Sequence, residues 1–228
     1  RQMCIRDRHI SELAKNWAIL RRTPPEERKV AILLYQNRPD PGNIGGAAGL
    51  DSLESVCEVL KRMSELGYKV DSAPCSGKEL IVEMLDGVTN DLSNMPLKFL
   101  REKAAGLVGV KSYLEHFDRI PSYDKKMMLE QWGSPPGQIC VEGKEIVIPG
   151  LIKGNVFIGY QPRRGFAEQM EAAYHDPLLF APHQYLEYYR WIKTVFKAHV
   201  VVHVGTHGTL EWLPGKNVGL SGKCDSDI

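Results

Sequence analysis

The sequence is poor in the features that most directly exclude or assign a function. It has five cysteines, Cys4, Cys57, Cys75, Cys140 and Cys224, far apart and with no Cys-x-x-Cys pair. That pattern argues against a disulfide framework and a cysteine-rich zinc site, and suits a reduced, cytoplasmic setting. No apolar run approaches the roughly 20 residues that a membrane-spanning helix needs. No charged n-region, apolar h-region and cleavage site mark a signal peptide. Neither sign of charge is in excess, with 29 basic and 28 acidic residues for a net charge of +1. The basic residues form no block beyond pairs such as Lys125-Lys126, so nothing points to nucleic acid. Four Gly-Lys pairs occur, but Lys78, Lys144, Lys216 and Lys223 precede Glu, Glu, Asn and Cys. A P-loop needs Ser or Thr there to hold magnesium, so ATP binding by this chain is not expected. There is no internal repeat and no low-complexity tract.

What is present is globular: 228 residues, 43% hydrophobic and 25% charged, enough for one or two domains. Arg1 to Arg8 show no period and are read as a foreign or disordered segment. Both ends read as truncated, so the chain is read as an internal fragment. Residues 9–27 form an N-terminal helical segment, with Ile10, Leu13, Trp17 and Leu20 on one face.

Val30 to Tyr35 is a continuous apolar run, short enough for a buried strand. A loop with four glycines follows, and Asp51-Ser-Leu-Glu54 opens a helix as a capping box. Gly67 closes that helix, and Tyr68 to Val70 begins a second extended piece, which completes a βαβ unit. Short helices are expected at Glu79–Leu85, around Leu97–Ala105 and at Ser112–Phe117. A subdomain boundary is placed between Pro121 and Pro136. Beyond it come strands at Ile146–Ile148 and Asn155–Tyr160, a helix from Pro182 to Ala198, and a strand from His199 to Val204. The expected fold is α/β: a Rossmann-like βαβ subdomain at 28–122, then a second mixed α/β subdomain at 123–228.

The densest constellation is His203-Val-Gly-Thr-His207-Gly-Thr-Leu-Glu211-Trp-Leu-Pro-Gly-Lys216. Two histidines and a glutamate follow one another at intervals of four, from the end of an apolar strand into a glycine-rich turn. Ligand sites of open α/β sheets lie at the carboxyl ends of strands. Imidazole and carboxylate can hold a divalent metal or move protons. The competing reading is a satisfied core histidine beside a surface glutamate. Gly154-Asn155 to Gln161-Pro162-Arg163-Arg164 places amides around an apolar strand and adds two arginines able to grip carboxylates, or simply a solvated turn. The loop from Gly42 to Gly49 joins a strand to a helix, yet matches no phosphate-binding pattern; it reads first as a structural or substrate-lining loop. Tyr185, Tyr188, Tyr189 and Trp191 read first as helix core.

The run from His203 to Ser221 resembles the large subunit shared by cobaltochelatase and magnesium chelatase. So do Asn43-Ile-Gly-Gly-Ala-Ala-Gly-Leu-Asp51, Trp132-Gly133, Pro149-Gly150, Gly154-Asn155-Val-Phe, Gln161-Pro162, Tyr174-His175, Pro182-His183-Gln184-Tyr185 and Tyr189-Arg190-Trp191. These motifs span nearly everything after His9. The resemblance implies a tetrapyrrole-binding subunit of a metal–nitrogen ligase that inserts cobalt into a corrin precursor (hydrogenobyrinic acid a,c-diamide) in cobalamin biosynthesis. The alternative within the family is insertion of magnesium into protoporphyrin IX. ATP would be used by a partner ATPase of the AAA+ class and its companion subunit.

On that reading His203, His207 and Glu211 bind the metal and carry the chemistry, with Glu211 as base. His175 and His183 stand behind them. Asn155, Gln161, Arg163, Arg164, Arg190 and Lys216 meet the tetrapyrrole side groups. Leu210-Glu211-Trp212-Leu213-Pro214 resembles the cobalt branch. Two readings from other classes remain open: a metal-dependent hydrolase, and a noncatalytic tetrapyrrole carrier.

Overall fold

The computed structural model describes residues 2–36, 38–165, 176, 178–206, 210, 213 and 214. Helix α1 runs Gln2–Arg22. The helix therefore begins seven residues before His9, inside the segment set apart above for its lack of a period. Strand β1, Val30–Leu34, is buried along its whole length. It sits inside a four-stranded sheet, flanked by β6, Val156–Tyr160, and β7, Val200–Val204, both parallel to it. Strand β5, Leu151–Lys153, adds the antiparallel outer member beside β6.

Alternate residues of β1 feed two cores, as a strand's period of two requires. Val30, Ile32 and Leu34 pack with Val56, Cys57 and Leu60 of helix α2, Ser52–Glu65, and with Leu80 and Met84 of α3, Gly77–Leu85. Ala31 and Leu33 face the other way, onto Tyr185, Tyr188 and Trp191 of α7, His183–Trp191. Helix α2 starts where expected: the Asp51 carboxylate accepts the Glu54 N–H at 2.9 Å.

A second sheet, antiparallel, joins β2, Gly106–Gly109, to β4, Glu145–Ile148, and β4 to β3, Val141–Glu142. Helices α4, Leu97–Lys103, and α5, Val110–Phe117, bracket β2. Helix α6, Ser122–Trp132, follows.

Two expectations are corrected. Tyr68–Val70 forms no strand. The parallel neighbour of β1 on that side is β6, whose residues lie more than 100 positions further along the chain. The short 68–70 stretch is held at the sheet's amino-terminal end instead. There the Tyr68 hydroxyl accepts from Arg28 at 2.9 Å and the Lys69 carbonyl accepts the Asn155 N–H at 2.9 Å. Nor do the strands respect a division at 122/123: β1 pairs with β6 and β7, and β2 with β4. Hydrogen bonding across that point ties the two halves into shared sheets. The helix expected over Pro182–Ala198 is α7 followed by a wider π-helical turn, Ile192–Phe196, and Lys197 ends it in the left-handed conformation at φ 60°.

Candidate active site at the carboxyl ends of the parallel strands

Parallel pairing sets Leu34, Tyr160 and Val204 side by side. The residues that follow each strand therefore emerge together at one end of the sheet. From β1 the chain turns towards α2 on one face; from β6 it turns towards α7 on the other. Diverging exits of this kind open a crevice between adjacent strands, the usual ligand position in α/β sheets.

The crevice is tied by a residue that no sequence pattern marked. Asn90 Nδ2 donates to Oε1 of Gln36, after β1, at 2.8 Å, and to the carbonyl of Gln161, after β6, also at 2.8 Å. Asn90, Gln36 and Gln161 are all buried. The glycine loop closes over the same end. Gly45 N–H donates to the Tyr35 carbonyl at 2.8 Å, and Ala48 N–H donates to Thr206 Oγ1 at 3.1 Å. The loop thus connects the exit of β1 to the exit of β7. Gly205, at φ +157°, passes so near Tyr35 that a Cβ there would stand 2.3 Å from the Tyr35 Cβ. That approach explains the glycine directly after His203-Val204.

His203 projects from β7 onto α7, where its imidazole stacks on Tyr189. The side chain is reached by solvent from one side. The crowding of protein around the ring still dominates its titration and lowers its pKa below the usual 6.5. Its ring nitrogens make no hydrogen bond among the described residues, so a neutral imidazole with an available lone pair stands at the strand's carboxyl end. The other two described histidines of this half differ. His199 Nδ1 accepts the Lys29 N–H at 2.9 Å. His183 is buried: its Nε2 donates to the Gly133 carbonyl at 2.9 Å, which leaves Nδ1 to accept from the Tyr113 hydroxyl at 2.8 Å. Burial also lowers its pKa. With both nitrogens committed inside the core, His183 is a structural fastener and not a metal or proton site.

The remaining sequence candidates divide sharply. Gln161 lies in the crevice. Arg163 follows it, half-buried, and acts electrostatically on Asp91 and on the buried Cys140 thiol, which burial pushes up to about 12. Arg164 is buried and donates to the Leu179 carbonyl at 2.8 Å, so it serves the chain rather than a solvent-facing ligand. Asn155 is misplaced by the expectation. It lies in the β5–β6 turn and donates to the Glu26 carbonyl at 2.7 Å. That is the amino-terminal end of β6, about 20 Å of strand away from Gln161 in the crevice at roughly 3.3 Å per residue.

Arg190 forks onto Glu187 through Nε at 2.6 Å and through Nη2. It lines a surface crevice of about 260 Å³ with Arg119, Lys193 and Tyr189, the ring on which His203 stacks. His175, His207, Glu211 and Lys216 lie outside the described residues, so two of the three proposed metal ligands do too. Of the aromatic cluster, Tyr185, Tyr188 and Trp191 are core, as expected; only Tyr189 reaches the site.

The geometry defines an α/β unit with a candidate site at a topological switch point. Comparison with known proteins narrows this. A family model described as CobN/Magnesium Chelatase matches residues 3–228. An uncharacterized protein of Methanocaldococcus jannaschii is 43% identical over 226 residues, covering 98% of this chain and 18% of the relative. The aerobic cobaltochelatase subunit CobN of Pseudomonas aeruginosa is 39% identical over 218 residues, covering 96% of this chain and 17% of the relative. A magnesium-chelatase subunit of Chlorobaculum parvum is 35% identical over 220 residues, covering 96% and 16%. Among solved structures, the catalytic subunit of cobaltochelatase from Mycobacterium tuberculosis superposes with a TM-score of 0.79 at 35% identity, covering 96% of this chain and 18% of that one. The chain belongs to the CobN/magnesium chelatase family, and it spans less than a fifth of the length of each of these relatives.

Proposed function

We propose that this chain is part of the tetrapyrrole-binding large subunit of a metal chelatase, a ligase whose ATP is hydrolysed by separate partner subunits. Its metal is cobalt and its substrate a corrin precursor. The observation that carries the reading is the position of His203. A neutral imidazole ends a parallel strand three residues before Thr206, which the glycine loop binds, at the head of the His203–His207–Glu211 series.

Metal insertion strips water from the ion and takes protons from ring nitrogens. A site for it needs transient ligands and a proton acceptor. On this reading His203 and His207 supply the first, and Glu211 accepts the proton. Imidazole suits first-row transition ions better than magnesium, which prefers oxygen ligands and holds its water. Gln161 and Arg163, at the exit of β6, meet the substrate's side groups.

The magnesium reading has its own support in the similarity to the magnesium-chelatase subunit of Chlorobaculum parvum. One reconstitution decides between them. The complete subunit with its ATPase partners is offered cobalt with hydrogenobyrinic acid a,c-diamide, and magnesium with protoporphyrin IX. Cobalt insertion is expected. Magnesium insertion with no turnover of the corrinoid overturns the choice of metal, and turnover of neither overturns the chelatase reading. In the same assay Glu211→Gln is expected to bind the tetrapyrrole normally and to insert no metal.

A further inference from the structure

Four basic side chains converge on one crevice that the chemistry above does not use. The crevice, about 260 Å³, lies between α5 and the end of α7 with the π-helical turn that follows it. His116 and Arg119 line it from α5 and the residues just beyond. Arg190 and Lys193 line it from the other side.

Arg190 is held in a fixed pose. Its Nε donates to Glu187 at 2.6 Å, its Nη2 donates to the same carboxylate, and its Nη1 donates to Thr194 Oγ1 at 3.3 Å. Glu187 is fully buried behind it. A guanidinium carries five N–H donors, so two remain for another partner. Arg119 and Lys193 are exposed, and among the described residues their side chains make no hydrogen bond and no ion pair. Exposed cations are ordinary; a shared focus for three of them is not. All three act on the half-buried His116, whose pKa is lowered first by the protein that displaces water and then by Arg190, Arg119 and Lys193. Their fields meet inside the crevice.

Two carboxylates oppose them, Glu115 on the rim and Glu187 behind Arg190. Three cations less two carboxylates leave one positive charge, and protonation of His116 makes two. The complement is therefore an anion that brings acceptors and no donors. Its shape follows from where the donors stand. Arg119, His116 and the Ser112 hydroxyl are on one wall, Arg190 and Lys193 on the other. A planar carboxylate turns both oxygens to one side, whereas a phosphoryl group offers three acceptor oxygens in different directions.

We propose that this crevice binds a tetrahedral oxyanion, a phosphoryl group gripped by Arg119, Arg190 and Lys193. Its volume falls just below the roughly 300–1,000 Å³ that drug-sized ligands fill, so the guest is small: inorganic phosphate, or the phosphoryl end of a short monoester. The assignment does not depend on the tetrapyrrole reading.

Calorimetric titration of the complete subunit tests it, at constant ionic strength because salt screens exposed charges. The probes are sulfate, inorganic phosphate, glycerol phosphate and acetate. The parent is expected to bind sulfate and phosphate saturably. The double variant Arg119→Gln, Lys193→Gln changes only exposed side chains and is expected to bind sulfate about tenfold more weakly. An anion favours the charged imidazole, so binding raises the His116 pKa and takes up a proton in mildly acidic buffer. Sulfate itself does not titrate there, so heats in two buffers of different ionisation enthalpy report the protein's uptake, which His116→Gln is expected to abolish. Glycerol phosphate that binds more tightly than phosphate assigns the site to a monoester, equal binding assigns it to the free ion, and either supports the proposal. Acetate that binds as tightly as sulfate overturns the tetrahedral assignment. Proton uptake that survives His116→Gln places the anion elsewhere. Parental affinity in the double variant, or no saturable binding by the parent, overturns the site.

Discussion

The imidazole of His203 lies flat against the ring of Tyr189, with centroids 6.0 Å apart and planes 8° from parallel. Tyr189 is the last aromatic of α7 on that side, and His203 is the fourth residue of β7, so the stack joins the crossover helix to the strand it precedes. The ring displaces water from one face of the imidazole. Tyr189→Ala is therefore expected to raise the His203 pKa towards 6.5, as a proton titration of its ring signals by NMR would show. An unchanged pKa would mean that other neighbours exclude the water.

Asn90 is expected to matter for stability out of proportion to its place in an irregular segment. Asn90→Leu removes both crevice bonds, the one to Gln36 Oε1 and the one to the Gln161 carbonyl, inside a buried layer. A loss of about 2 kcal/mol or more follows from those two groups. Urea unfolding of parent and variant measures it. A loss below about 0.5 kcal/mol would show that the two carbonyls find other partners.

Three histidines give the fold a pH dependence whose sign can be worked out. His116, His183 and His203 all have pKa values depressed below 6.5, first by the protein that displaces water around them and, for His116, also by Arg190, Arg119 and Lys193. An unfolded chain protonates them near 6.5, while the folded chain resists. Between the folded value and 6.5 the unfolded state binds more protons, so stability rises with pH there. It is fully present above 6.5 and declines as pH falls below it. For His183 protonation also destroys the acceptor that Tyr113 uses. Thermal midpoints at pH 7.5 and 5.5 are expected to differ, with the lower pH less stable. His183→Gln is expected to shrink the difference, and a difference of unchanged size would place the titrating group elsewhere.

Gly159 is expected to tolerate no side chain. A methyl group would sit 2.1 Å from the Tyr188 hydroxyl and 2.7 Å from the Phe157 ring. Strand and helix cannot separate there without opening the core that Tyr188, Trp191 and Phe157 share. Gly159→Ala is expected to cost about 3 kcal/mol, at the upper end for overpacking, with loss of soluble protein at 37 °C. Thermal unfolding of the purified variant checks this, and a parental midpoint would refute the close packing of α7 on β6.

The sequence by itself determined the local elements whose signals are contiguous. The apolar run at Val30, the Asp51 cap, the strand before Gly205 and the helix after Pro182 are each written within a few residues, because capping, periodicity and burial act over one or two turns. Its linked motifs also carried the family. What it did not determine was which strands meet. Val30 pairs with Val156 and Val200, over 120 residues away, and such pairing is set by which apolar faces fill one core, not by any neighbour in the chain.

That is why Tyr68–Val70 reads in the sequence as a partner strand and why a division at 122/123 cuts through two shared sheets. The same limit governs the site. Gln161 and Asn155 flank one strand and look equivalent in the sequence, yet one lies at its carboxyl end in the crevice and the other at its amino end under Glu26. Asn90 and Gln36 carry no motif of their own. Tertiary structure alone brings them together with Gln161 and buries them, so that each must find its hydrogen-bond partner inside the crevice.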